Sequence, residues 1–136
     1  MVMNNRYLFR GKRLDNGEWA EGLLFANKFG KHYILPYEHY GSIGLTSSMY
    51  VDPATVGQCT GLKDKNGKPV FEGDILVKSE RSYTIAIIAK WQDGGWCCGG
   101  VTACQYTYRA DSYTLAKFEV IGNVHDSPEL LEVLEK

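Results

Sequence analysis

The sequence has no excess of positive charge: 15 lysines and arginines stand against 16 aspartates and glutamates, for a net charge of −1. That balance excludes the global field with which many nonspecific DNA-binding proteins attract the phosphate backbone, so nucleic acid is not indicated by net charge and only a local basic patch stays open. Also missing is any apolar stretch near the roughly 18 residues that a membrane-spanning helix requires. The opening residues, Met1-Val2-Met3-Asn4-Asn5-Arg6, carry no apolar run of the secretory kind. A cytoplasmic protein with no membrane partner is expected.

Paired ligand spacings are lacking too. Cys97 and Cys98 are adjacent, Cys104 follows six positions on, and Cys59 is far upstream, so neither a CxxC pair nor a His-x-His set appears. In a reducing compartment these are expected to be free thiols, and neighbours on a strand point to opposite faces, which suits packing better than chelation. His32, His39 and His125 fit no HExxH spacing, and there is no GxSxG elbow and no GxxxxGK[ST] loop. Gly94-Gly95 and Gly99-Gly100 are too short to cradle a phosphate. The expectation is no catalytic residue, no bound metal and no cofactor.

What is present is β patterning punctuated by turns. A chain of 136 residues makes about one domain, able to bury roughly two thirds of its unfolded surface. Tyr7–Lys12 and Glu18–Phe25 flank Asp15-Asn16-Gly17, and Asn-Gly supplies the positive φ angles of a tight hairpin. Lys31–Leu35 reads as a strand ended by Pro36, and Tyr37 to Met49 as an irregular stretch. Thr55–Gly61 reads as a strand leading into the turn Asp64-Lys65-Asn66-Gly67, and Val70–Val77 turns at Gly73 into another. Tyr83–Trp91 is an almost continuous apolar run with high β propensity, as expected where both faces are covered. Gln92–Gly95 then reverses the chain into Trp96-Cys97-Cys98. Further strands are expected at Gln105–Tyr108, Ser112–Leu115 and Phe118–Asn123. Ser127-Pro128-Glu129 opens a short C-terminal helix, with a capping hydroxyl, proline at the first position and an acid at the positive end of the dipole.

The run Thr60-Gly61-Leu62-Lys63-Asp64-Lys65-Asn66-Gly67-Lys68-Pro69-Val70-Phe71-Glu72-Gly73-Asp74-Ile75-Leu76-Val77 resembles the signature of the YopX family. Tyr7–Lys12 and Val51–Cys59 upstream, and Phe118–His125 with Ser127–Leu131 downstream, extend the likeness over nearly the whole chain. Its motif residues here are Thr60, Gly61, Leu62, Asp64, Gly67, Glu72, Gly73, Asp74, Ile121, Gly122 and Asn123. The resemblance implies a phage or prophage protein working in the host cytoplasm, and it implies no particular biochemical activity. It further implies one mainly β (β-rich α+β) domain over residues 1–136. Residues 1–50 would form an N-terminal β-hairpin region, and residues 51–136 a small SH3-like barrel with a short C-terminal helix.

Three groups bear on function. Glu72 and Asp74, two positions apart, are close enough on a strand to hold a metal, so a metal-assisted hydrolase is one alternative. The preferred reading is structural: Gly73 supplies turn geometry and Asp74 caps backbone N–H groups before an apolar strand. Lys65 and Lys68 offer two cations to a phosphate, against the plainer reading of a solvated turn. Trp91, Trp96, Tyr106, Tyr108 and Tyr113, with Arg109 nearby, suit a small barrel that binds single-stranded nucleic acid or peptides, although such aromatics equally fill cores and subunit interfaces. Lys65, Lys68, Trp91, Trp96, Tyr106, Tyr108 and Arg109 are therefore the candidate interaction surface. The leading expectation is a noncatalytic interaction or assembly module, as a homo-oligomer or with a host or phage protein. A nucleic-acid-binding barrel using Arg81, Lys90 and Arg109 is its rival.

Overall fold

A computed structural model describes residues 7–36, 49–92, 95–100, 107–109 and 111–134. The irregular stretch expected after Pro36, up to residue 48, lies outside them, as do Cys104, Gln105, Tyr106 and His39. The chain divides into two compact units, residues 1–59 and 60–136.

In the first unit, β1 (Phe9–Lys12) and β2 (Trp19–Ala26) form the expected hairpin, with Lys12 opposite Trp19 and Phe9 opposite Gly22. Gly17 takes φ 72° in the turn, and Arg13 N donates to Glu18 O at 2.8 Å. β3 (His32–Pro36) pairs with β2 and keeps Pro36 at its last position. β4 (Tyr50–Val51) pairs with β3, and its neighbourhood also returns to the end of β1: Leu14 N donates to Tyr50 O (3.0 Å) and Asp52 N to Lys12 O (2.8 Å). This curl requires close backbone approach. A side chain at Gly22 would collide with the Leu35 carbonyl, and one at Gly11 would press on Val51 and Val56. Ile34, Val51 and Cys59 are buried here.

β5 (Gly57–Lys63) belongs to both units. Its start lies against β1, Gln58 opposite Phe9, and its remainder pairs with β6 (Pro69–Phe71). The expected turn joins them: Gly67 has φ 80°, Asp64 N donates to Lys68 O at 2.9 Å, and Gly67 N to Asp64 O at 3.0 Å.

The second unit carries a five-stranded antiparallel sheet. β8 (Thr84–Gln92) is central and forms a long hairpin with β9 (Gly95–Gly100), β7 (Asp74–Ser79) lies on its other side, β10 (Thr107–Arg109) is one edge and β11 (Glu119–Asn123) the other. The two sheets stay open, and among the described residues there is no closed ring of strands. The SH3-like barrel expected over residues 51–136 is therefore corrected. After β6 the chain turns at Glu72-Gly73, with Gly73 at φ 90°, and β6 pairs with β5 while β7 enters the other sheet. Strands of this segment are thus shared between two open sheets.

A second correction concerns Ser112–Leu115, expected as a strand and found as a helical turn, α1. The Asp111 carboxylate accepts from Thr114 N at 2.7 Å, a cap that starts a helix despite the β propensity of Tyr and Thr. The turn buries Leu115 completely, together with Phe118. The strand expected at Gln105–Tyr108 is described as Thr107–Arg109. The C-terminal helix α2 spans Pro128–Leu134 with Glu129 in its first turn, as expected.

Register decides which side chains meet. Leu76 lies opposite Ile87 and Val120, and with Val70, Ala89, Leu115 and Phe118 they form the core on one sheet face. β11 then slips: Val120 pairs with Leu76 but Gly122 with Ile75, leaving Ile121 as a bulge. The extra residue reverses the alternation, so Gly122 shares the face of Ile75. Any Cβ at Gly122 would meet Ser127 Oγ and Leu130 of α2, so this glycine seats the helix on the second face.

Gly22→Ala is expected to lower stability by about 1–3 kcal/mol through overpacking against backbone. Gly17→Asn, in open space and with a side chain that tolerates positive φ, is expected to stay near the wild type. Urea unfolding of both variants checks the contrast.

Candidate functional site

The motif residues are best understood from Asp64, which is only 5% exposed. Its Oδ1 accepts from the N–H groups of Asn66 and Lys68, both at 2.9 Å, and its Oδ2 from Val120 N at 3.0 Å. Burial pushes its pKa up. The donors Val120, Lys68 and Asn66, with the Lys68 charge, more than reverse this and leave it below the usual carboxylate range. Lys65 N also donates to Phe118 O at 2.9 Å, so the β5–β6 turn is fastened to β11 at two adjacent peptides.

Three other motif side chains also turn onto backbone. Asp74, 1% exposed, accepts from Phe71 N at 2.8 Å across the Glu72-Gly73 turn. Thr60 Oγ1 donates to Val70 O (2.8 Å) and accepts from Leu62 N (3.1 Å). Asn123 Oδ1 accepts from the N–H groups of His125 and Asp126, at 3.0 and 2.9 Å. A carboxylate oxygen engaged this way has less lone-pair density for a cation, and Asp74 lies beneath the surface beside a half-buried Glu72. Among the described residues, no group of three or more histidines, cysteines and acids could hold a metal ion. His32 Nδ1 donates to Gly30 O in the first unit, and His125 belongs to the second.

The sequence-derived interaction residues separate into two places. At the closed end of the β8–β9 hairpin Trp91 stands opposite Trp96, their rings edge to face at 5.1 Å and 79°. Trp91 continues the sheet face of Ile87 and Ala89 beyond the core and is 55% exposed. Lys90 is opposite Cys97, which is opposite Arg109 of β10, and Tyr108 lies opposite Cys98. Lys65 and Lys68 belong instead to the turn fastened to β11, three strands from β9 in the sheet order. Lys65 Nζ lies 3.6 Å from Glu119 Oε2. Tyr106 is outside the described residues.

Two features were not singled out by sequence. One is a groove of about 130 Å³ in the first unit, bordered by Leu14, Lys31, His32, Tyr50 and Val51. It is well under the roughly 300 Å³ of an ordinary small-molecule site and suits one apolar side chain. The other is a stacked pair formed by α1 and the turn that follows it: Lys117 Nζ stands 3.8 Å from the ring centroid of Tyr113. Its signal was the i, i+4 spacing, hidden by reading this segment as a strand.

Open antiparallel sheets, with turn acids bound to backbone, define a mainly β scaffold. A family model for the YopX protein matches residues 8–132, and the chain belongs to the YopX family. No curated protein matches. Among solved structures, the fold is similar to that of protein EF1440 from Enterococcus faecalis, at 24% identity and a TM-score of 0.52, covering 90% of this chain and 96% of that one.

Because folding depresses the Asp64 pKa, its contribution is complete above the ordinary carboxylate range and is lost as pH falls through and below it. Asp64→Asn is expected to lose about 1–3 kcal/mol at neutral pH. It should also flatten the decline in stability between about pH 5 and pH 3, measured by urea unfolding across that range.

Proposed function

We propose that this chain is a noncatalytic interaction and assembly module that self-associates through the tip of the β8–β9 hairpin. The observation that carries this is Trp91, over half exposed near the end of the two-stranded β8–β9 hairpin and braced by the Trp96 ring. Tryptophan is large, loses little side-chain entropy on docking, and dominates interface energetics where it is displayed. Lys90 and β10, an edge strand among the described residues, lie nearby, so a second copy could meet both aromatic and backbone groups. A host or phage protein is the alternative occupant. The phage setting and the cytoplasmic location rest on the family resemblance, and among the described residues no helix is long and apolar enough to cross a membrane.

The metal-assisted alternative at Glu72 and Asp74 has less support, because Asp74 is committed to the turn backbone. Light scattering on the purified chain is expected to show a dimer or larger species. Trp91→Ala should shift it toward monomer while lowering stability by only about 1 kcal/mol, the loss of the edge-to-face contact with Trp96. A strict monomer at high concentration would sink self-association. Nucleotide or nucleic-acid hydrolysis abolished by Glu72→Ala would overturn the noncatalytic reading.

A further inference from the structure

α1 is fixed to the core by Leu115, which is fully buried, and this anchoring holds Tyr113 outward at 74% exposure. The Lys117 ammonium covers the ring at 3.8 Å. Lys78 follows Leu76 by two positions on the sheet face that Leu115 covers, which brings it beside the same helix. Beyond Lys78 the chain makes the β7–β8 turn, closed by Glu80 N donating to Tyr83 O at 2.8 Å, with Arg81 exposed and Tyr83 at 61% exposure. The acids on these elements are engaged: Glu80 Oε1 lies 2.8 Å from Lys78 Nζ, and Asp111 caps Thr114.

We propose that Tyr113, Lys117 and the Arg81–Tyr83 turn form a docking face for single-stranded nucleic acid, with a base stacked on the ring face of Tyr113 that Lys117 leaves open and phosphates beside Lys117 and Arg81. Exposed aromatic rings among lysines and arginines are how proteins bind unpaired strands without reading sequence. A duplex keeps its base faces covered, so the ring selects for single strands. The Tyr113 phenol is held below its ordinary pKa, first by the hydrogen bond with Lys117 and next by its charge, with a smaller effect of Lys78 working alongside against slight burial. The Lys117 charge would equally attract a phosphate. This surface is distinct from the Trp91 tip and does not depend on self-association.

The test is fluorescence anisotropy of the full chain with a labelled oligothymidylate of roughly 20 nucleotides. Binding is expected at about 50 mM salt and should weaken steeply by about 200 mM. Tyr113→Ala and Lys117→Glu should each weaken it about tenfold, Tyr113→Phe should retain it, and Trp91→Ala should leave it unchanged. No binding at low salt overturns the proposal. So does loss on Trp91→Ala with Tyr113→Ala unaffected, and so does equal binding of a labelled polyglutamate, which would mark an acidic protein as the partner.

Discussion

Three backbone N–H groups from two distant stretches of chain converge on one buried carboxylate, Asp64, and the second unit is organised around that convergence. Two of the donors belong to the turn that carries the aspartate, so the carboxylate shapes its own loop. The third, Val120, belongs to the edge strand β11, whose outer side would otherwise present unpaired peptides to solvent. Fixing Val120 over Leu76 sets the position of the Ile121 bulge, and the bulge turns Gly122 toward α2. One ionised side chain thereby determines the turn, the edge and the helix seat.

Much of this was legible in sequence because it depends on local chemistry. Asn16-Gly17 and Asn66-Gly67 each give a positive-φ glycine between paired strands, and Pro128-Glu129 opens a helix where its residue types require one. The structural reading of Asp74 is likewise local, since its acceptor role spans three residues. What was illegible is long-range. Nothing in Asp64 or Val120 alone announces a bond across 56 positions. Nor does Glu72-Gly73 reveal that β7 leaves β6 for another sheet. The Ser112–Leu115 error has a different cause: Asp111 is a short-range cap, but the β propensity of Tyr113 and Thr114 masked it.

The polar residues most noticeable in sequence are those the scaffold engages most fully. Asp64, Asp74, Thr60 and Asn123 all turn to peptide groups, and their chemistry is structural. Among the side chains left at the surface are large rings: Trp91 near a hairpin tip, and Tyr113 on a helical turn with Lys117 just after it. Such rings bind by area and polarisability rather than by proton transfer.

The placement of β1 in the sheet order has a consequence for biosynthesis. β1 is an interior strand flanked by β2 and β5, and Phe9 meets Gln58 only after almost fifty further residues have been made. β7 repeats the arrangement, with β8 available at once and β11 arriving late. A nascent chain emerging from the ribosome therefore holds each early hairpin with one flank unsatisfied while translation continues, and in that interval another chain's strand can pair there. Slow, nonlocal closure of this sort makes the rate of synthesis itself a determinant of yield.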